Sequence, residues 1–164
     1  MVTLRPVRAL DAADVRDITA YDGKFAATVA EAAAMLRRID DDQARGESAH
    51  WGICPAGSDR VVGTCGYYRG FAGAVGEIGY VLSEPFRGRG LMTETVGLVA
   101  RFGFEVMALR EVVAYTEPTN AGSIGVLTRC GFRETPSRNG LLRFSLGPGG
   151  PAPQRRSGRP PYPG

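Results

Sequence analysis

The chain has 164 residues, 43% of them hydrophobic, so it is long enough for one hydrophobic core and is expected to form one domain. Its formal net charge of +3 comes from Arg155, Arg156 and Arg159, because the other 17 basic residues equal the 17 acidic ones in number. This balance disfavours a nucleic-acid-binding face, and no apolar run is long enough to suggest a membrane span. The first residues lack a basic-then-apolar leader pattern, so we expect a cytoplasmic protein.

Hydrophobic periodicity, capping residues and glycine-rich turns predict alternating helices and strands along most of the chain. In chain order, the predicted elements are a strand at 2–8, helices at 12–19 and 28–39, strands at 49–54, 60–68 and 75–82, a helix at 91–107, a strand at 111–116, a short helix at 120–130, and strands at 133–136 and 141–146. This order predicts a mixed α/β (α+β) fold with a central, mostly antiparallel sheet of about seven strands and about four helices.

Several local features refine this outline. Asp11 stands where the N-cap of the first predicted helix belongs, and Asp40, Asp41 and Asp42 predict a solvated loop in preference to a metal site. The three cysteines form no C-x-x-C pair, which favours small buried residues over a disulfide or a zinc site. Residues 147–164 are rich in Gly, Pro and Arg, so we expect a domain at 1–146 followed by a disordered tail.

The most informative segment runs from Glu77 to Thr93, where a predicted buried strand, a turn and a glycine-rich entry into a long helix follow one another. A helix N-terminus leaves N–H groups unpaired and carries a partial positive charge. Gly88 and Gly90 would let an anion approach that backbone closely, so the segment predicts a main-chain site for phosphate or pyrophosphate. A P-loop is excluded because no Gly-Lys-Ser/Thr occurs, and a dinucleotide fingerprint is disfavoured because Thr93 stands at its third glycine position.

Three motifs together identify a resemblance to a known family. They are Arg87-x-x-Gly90 between strand and helix, Asn120-x-x-Ser123 at the start of the short helix, and Leu127-x-x-Cys130-Gly131-Phe132 at its end. With them the chain resembles the GNAT superfamily of N-acetyltransferases, specifically over residues 75–132 and by element order over 2–146. The phrases EIGYVL, GRGLMTE and EPTNAGS are similar to the RimJ/RimL-like branch, which acetylates ribosomal-protein N-termini. Met92 departs from the small residue usual at its position, but its main-chain N–H is the group that would be used.

The resemblance implies a fold in which the strand at 77–82 splays from the strand at 112–116, with acetyl-CoA as co-substrate and no metal. The implied cofactor contacts are main-chain N–H groups of Arg87, Gly88, Arg89, Gly90, Leu91 and Met92, the hydroxyl of Thr93, the backbone of Val81 and Leu82, and the side chain of Asn120. For Asn120 a plain helix N-cap is the alternative interpretation.

A thioester is already activated, so an amine can attack it directly without an enzyme nucleophile. Glu77 is the candidate base for the amine, with a partly exposed strand carboxylate as the alternative. Ser123 is the candidate acid for the departing thiolate, with a helix-capping hydroxyl as the alternative, and Tyr80 and Tyr115 are weaker candidates. His50, the only histidine, is interpreted as a packing or substrate-contact residue.

The sequence therefore predicts an N-acetyltransferase that moves an acetyl group from acetyl-CoA to a primary amine in a ternary complex. The competing prediction is a non-catalytic acyl-CoA sensor or regulatory module. The acceptor stays open among a protein N-terminus, an aminoglycoside or other small amine, and an amino-acid-like compound. We expect neither nucleic acid nor membrane as a partner, and a monomer and a homodimer suit the fold equally.

Overall fold

A computed structural model describes residues 1–137 and 139–150, and the predicted disordered tail lies outside the described residues from 151 onward. The strands are β1 Val2–Arg5, β2 Ala20–Tyr21, β3 Lys24–Phe25, β4 Ala49–Pro55, β5 Gly63–Tyr68, β6 Val75–Leu82, β7 Glu111–Thr116, β8 Arg133–Thr135 and β9 Leu142–Leu146. The helices are α1 Ala12–Val15, α2 Val29–Ala44, α3 Leu91–Glu105 and α4 Ala121–Arg129. No helix in this part of the chain is long and apolar enough to cross a bilayer.

Seven of the strands form one sheet in the order β1-β4-β5-β6-β7-β9-β8. Every neighbouring pair is antiparallel except β6 and β7, which are parallel. This parallel pairing covers only Val75–Glu77 of β6 against residues 111–113 of β7, after which the two strands separate. The predicted mostly antiparallel, splayed α/β sheet is confirmed, and the opening lies in its centre.

The two faces of the sheet are covered by different helices. One hydrophobic cluster joins the sheet to α3 and α4 and includes Ile53, Val96 and Leu127. The other joins it to α1 and α2 and includes Val15 and Leu36. Successive residues of a strand therefore contribute to different clusters, as the two-residue period of a strand requires.

The prediction for the three aspartates was wrong, because α2 continues through all of them to Ala44. Thr28 caps its start by accepting a hydrogen bond from the Glu31 N–H. Gly46, with φ +74°, follows the helix end in the left-handed conformation that glycine adopts without strain. Gly46 was a better indicator of the helix end than the three aspartates, since solvated carboxylates are tolerated on an exposed helix face.

Asp11 is the N-cap residue of α1, as predicted, but its side chain does not cap that helix. Its carboxylate pairs with the Arg5 guanidinium at 2.7 Å and accepts the Arg8 N–H at 2.7 Å, the latter as part of a capping box on the preceding 3-10 turn. The hydrogen bond from Arg5 holds the pKa of Asp11 below its ordinary value, against the opposing effect of burial. The local helix is only one turn long, flanked by 3-10 turns, instead of the predicted 12–19.

A small hairpin formed by β2 and β3 was not predicted. Its turn is Asp22-Gly23, both with positive φ (49° and 76°), which is the turn type that an Asp-Gly pair favours between short strands. Tyr21 anchors the hairpin on α2 through a 3.0 Å hydrogen bond to Asp42. The Asp-Gly pair could have indicated a hairpin turn, but strands of two residues are too short to show alternation of apolar and polar residues.

Candidate functional site

The glycine-rich turn joins the end of β6 to the start of α3. Gly88 and Gly90 both have positive φ (73° and 77°), and Gly90 is the N-cap of α3. A Cβ at either position would meet no protein atom within 4 Å. Glycine is therefore required here by backbone conformation, and the space in front of both residues is open to a ligand.

The first turn of α3 has no side-chain cap. Its first main-chain hydrogen bond runs from the Glu94 N–H to the Gly90 carbonyl at 3.1 Å, so the helix itself supplies no partner for the preceding N–H groups of Leu91, Met92 and Thr93. The Met92 side chain is buried in the core, away from the turn, which explains why a large residue fits at this position.

Main-chain groups at the end of β6 alternate between β5 and the gap toward β7. The Ser83 N–H donates to the Val62 carbonyl, on the β5 side, at 2.8 Å. Because successive main-chain groups point to opposite sides, Leu82 presents its N–H and carbonyl to the gap, while Val81 faces β5. The Leu82 carbonyl accepts a 3.0 Å hydrogen bond from Arg87 Nε, so the turn is tied back to the strand.

Helix α4 begins opposite this gap. Asn120 Oδ1 accepts a 3.0 Å hydrogen bond from the Ser123 N–H, which makes Asn120 the N-cap. The predicted glycine end is confirmed, since Gly131 has φ +84° and the Phe132 N–H bonds the Leu127 carbonyl. Asn120 is exposed, so its amide nitrogen remains accessible to a ligand while its oxygen caps the helix.

A second contact at the start of α4 links it to β6. The Tyr80 hydroxyl lies 2.8 Å from Ser123 Oγ and 3.4 Å from the Ser123 carbonyl. Burial raises the pKa of Tyr80 to about 12, while the hydrogen bond to Ser123 opposes the shift. The phenol is therefore neutral at physiological pH and able to donate.

Glu77 lies on the opposite face of the sheet from Tyr80, because three positions along a strand reverse the side-chain direction. Its carboxylate makes a 2.9 Å ion pair with Arg69, and about 27% of its side chain is exposed. Ser123 and Glu77 thus flank β6 from its two faces. The ion pair with Arg69 could not be predicted. Arg69 belongs to no recognised motif, and its pairing with Glu77 depends on the β5–β6 register.

Three further groups near the site have defined partners. The Thr93 hydroxyl accepts a 3.3 Å hydrogen bond from Arg129 Nε, and the Arg89 guanidinium lies 5.5 Å from the centre of the Phe86 ring. His50 is buried, and its main-chain N–H donates a hydrogen bond to Gln43 Oε1. Burial lowers the pKa of its imidazole to about 4. The imidazole is thus neutral, as suits a packing residue.

The three cysteines are free and buried, which confirms their interpretation as small core residues. Cys130 donates to the Thr93 carbonyl at 3.3 Å, and burial raises the pKa of its thiol to about 11. Among residues 1–137 and 139–150 no group of His, Cys, Asp or Glu is arranged to hold a metal ion.

Comparison with known proteins agrees with this architecture. The model of the acetyltransferase (GNAT) domain family matches residues 1–133. The chain is 37% identical over 103 residues to the probable N-acetyltransferase YjcK of Bacillus subtilis, covering 60% of this chain and 57% of that protein. It is 32% identical over 116 residues to the uncharacterized N-acetyltransferase p20 of Bacillus licheniformis, covering 70% and 63%. The chain thus spans about three fifths of the length of these curated relatives.

Among solved structures, Mycobacterium smegmatis RimJ in complex with CoA-disulfide superposes with a TM-score of 0.77. The superposition covers 90% of this chain and 82% of that protein at 22% sequence identity, so it supports the fold.

Proposed function

Because this chain belongs to the family of GNAT acetyltransferase domains, we propose that it transfers the acetyl group of acetyl-CoA to a primary amine by direct attack in a ternary complex. The observation that carries the proposal is the junction of an uncapped, glycine-led helix N-terminus with the opening between β6 and β7. The junction offers a pyrophosphate site and an adjoining channel for an extended arm in one continuous surface.

The donor site is assigned from main-chain groups. The pyrophosphate binds the N–H groups from Gly88 to Met92, with Thr93 beside them. The Arg87 N–H, also predicted as a contact, already donates to the Glu84 carbonyl at 3.1 Å. The pantetheine arm enters between β6 and β7, where Asn120 donates its amide N–H groups to it and the Leu82 N–H faces the thioester oxygen. Val81 makes no polar contact of its own to the arm, because its N–H and carbonyl face β5.

The chemistry needs little from side chains, because a thioester is reactive once the amine is positioned. The amine loses a proton to Glu77 through water, since Glu77 lies five residues along β6 from Leu82, and its nitrogen forms the new bond to the carbonyl carbon. The Leu82 N–H donates to the oxyanion as it develops. When the intermediate collapses, the C–S bond breaks and Ser123 faces the departing thiolate. Glu77 and Ser123 act from opposite faces of β6, so amine entry and thiolate departure do not compete for space.

The proposal is tested by calorimetric titration of the protein with acetyl-CoA, with NAD and ATP as controls. Selective binding of acetyl-CoA supports the site and leads to a screen of amines by release of free CoA thiol, including peptides with free N-termini and small polyamines. A folded protein that does not bind acetyl-CoA would contradict the proposal. Binding without thiol release for any amine class would favour the alternative of an acyl-CoA sensor.

A further inference from the structure

A short side-chain contact beside the opening of the sheet joins Tyr80 and Ser123. Their oxygens are 2.8 Å apart, although the residues belong to different elements, β6 and α4. Both lie on the face of the sheet where α4 begins, and Tyr80 is held in the core cluster by its ring. The hydroxyl of Ser123 therefore has a partner in a fixed position.

The direction of this hydrogen bond follows from the chemistry of the two groups. A phenol is a much stronger acid than an aliphatic alcohol, so in a short contact the phenol donates and the alcohol accepts. The Ser123 carbonyl competes for the single phenol proton, but at 3.4 Å it is much farther away than Ser123 Oγ at 2.8 Å, so Oγ is the better acceptor. With one lone pair occupied, the Ser123 O–H turns away from Tyr80.

We propose that Tyr80 is a positioning residue that directs the Ser123 hydroxyl proton toward the departing CoA thiolate, an inference that rests on the proposed acetyl-CoA site. When the C–S bond breaks, its electron pair goes to sulfur. Ser123 then donates a hydrogen bond to the thiolate and keeps its proton, and the thiolate is protonated by water on release. No proton leaves Tyr80, whose role is to hold Ser123 in the donating orientation.

Other titratable groups around the pair stay neutral over the useful pH range. Cys65 lies opposite Tyr80 on β5 and Cys130 ends α4, and burial raises the pKa of both thiols. Arg129, the neighbour of Cys130 on α4, is a cation that is bonded to the Thr93 hydroxyl. A titration between about pH 6 and pH 10 therefore reports on added CoA thiol, and free CoA titrated under the same conditions supplies the reference pKa.

The test uses CoA itself, so it needs no knowledge of the acceptor. The ultraviolet absorbance of the thiolate of bound CoA is followed against pH, with the protein alone subtracted. In the wild-type complex the thiol pKa is expected to fall below that of free CoA. CoA therefore binds more tightly as the pH rises. Its dissociation constant decreases about tenfold, as a charge-assisted hydrogen bond to the thiolate would produce. Tyr80→Phe and Ser123→Ala each remove this tightening, and the double variant loses no more than either alone.

Tyr67→Phe is the matched control. The Tyr67 hydroxyl donates to the Val99 carbonyl at 2.8 Å in the core, so its loss lowers the melting temperature but leaves the thiol pKa of bound CoA unchanged. Ser123→Ala serves as the second variant, since it breaks the same contact without touching the core.

Two outcomes would overturn the inference. If Ser123→Ala raises the thiol pKa of bound CoA while Tyr80→Phe does not, Ser123 acts without Tyr80. If the folded wild type does not bind CoA at all, this result contradicts both the proposed acetyl-CoA site and the positioning role of Tyr80. The first result leaves the proposed function intact, so the two failures are distinguishable.

Discussion

Arg87 Nε donates a 3.0 Å hydrogen bond to the Leu82 carbonyl and so joins the first residue of the glycine-rich turn to the last residue of β6. The contact fixes the turn relative to the opening between β6 and β7. It also occupies a carbonyl on the side where a pantetheine arm would pair, leaving the Leu82 N–H for the ligand. The two parts of the proposed donor site are thereby held as one unit.

Arg87→Met is expected to weaken acetyl-CoA binding about tenfold, because the turn loses the charge-assisted hydrogen bond that anchors it to the end of β6. The dissociation constant from calorimetry is the measurement. Arg60→Met is the control, since Arg60 is exposed and pairs only with Asp14 on the other face of the sheet. An unchanged dissociation constant for Arg87→Met would show that the turn keeps its position without this contact.

Gly90→Asn tests whether a ligand approaches the Gly90 backbone closely, while it keeps a residue that tolerates the positive φ of this position. Asparagine tolerates positive φ, so the variant should fold, but its side chain enters the open space before the helix N-terminus. We expect acetyl-CoA binding to weaken by at least about tenfold, the effect of a lost close approach to the backbone. Gly57→Asn is the matched control, because Gly57 has φ +79°, equally open surroundings and a place in the remote β4–β5 turn. Retained binding by Gly90→Asn would mean that the pyrophosphate lies elsewhere.

Glu77→Gln is expected to lower turnover about 100-fold, as loss of a general base does, with acetyl-CoA binding unchanged. Arg69→Gln removes the ion pair but leaves the carboxylate, so it should retain turnover within about twofold if the carboxylate alone acts as base. Thiol release with the amine found in the screen is the measurement. Equal losses in both variants would indicate that the pair serves the structure of β5 and β6 and that the base lies elsewhere.

Asp11→Asn is expected to reduce the free energy of unfolding by about 2 kcal/mol at neutral pH, because the Arg5 guanidinium keeps the exposed Asp59 carboxylate but loses its charge-assisted hydrogen bonds to the buried Asp11 carboxylate. The folded-state pKa of Asp11 is lowered, so its stabilisation is fully present above the unfolded value of about 3.9 and is lost as the pH falls through the folded value. Denaturation of both proteins between neutral and acid pH should therefore show their difference shrinking only in acid. A constant difference would contradict the ion pair as its source.

Gly103→Ala should destabilise the protein, although alanine ordinarily favours a helix interior by about 1 kcal/mol over glycine. A Cβ at Gly103 would collide with the buried Tyr67 hydroxyl, which is fixed by its bond to the Val99 carbonyl. Thermal unfolding of Gly103→Ala, Tyr67→Phe and the double variant measures this. If the double variant is no more stable than Gly103→Ala alone, the collision is not the cause.

Strongly periodic segments were predictable in detail. The bounds of β6 and β7 and the start of α3 agree with their predictions, because each combines an uninterrupted apolar pattern with a glycine or a polar residue at its end. The N-terminal third was predicted less well. There Asp11 pairs with Arg5 of β1 and Asp42 bonds to Tyr21 of the unpredicted hairpin, and local charge is a poor guide to contacts between elements.

By itself, the sequence determined the order of the seven main-sheet strands and the longer helices, the glycine-led helix N-terminus and the capping pattern of α4, since these depend on backbone conformation within a few residues. Only the tertiary structure decided that Tyr80 meets Ser123, that Arg69 holds Glu77 and that Arg87 returns to Leu82. The contact between Tyr80 and Ser123 depends on the packing of α4 against the sheet, and that between Arg69 and Glu77 depends on the β5–β6 register. The contact between Arg87 and Leu82 depends on the path of the turn. Side-chain partners across elements follow from the packing of the whole domain, which no single segment specifies.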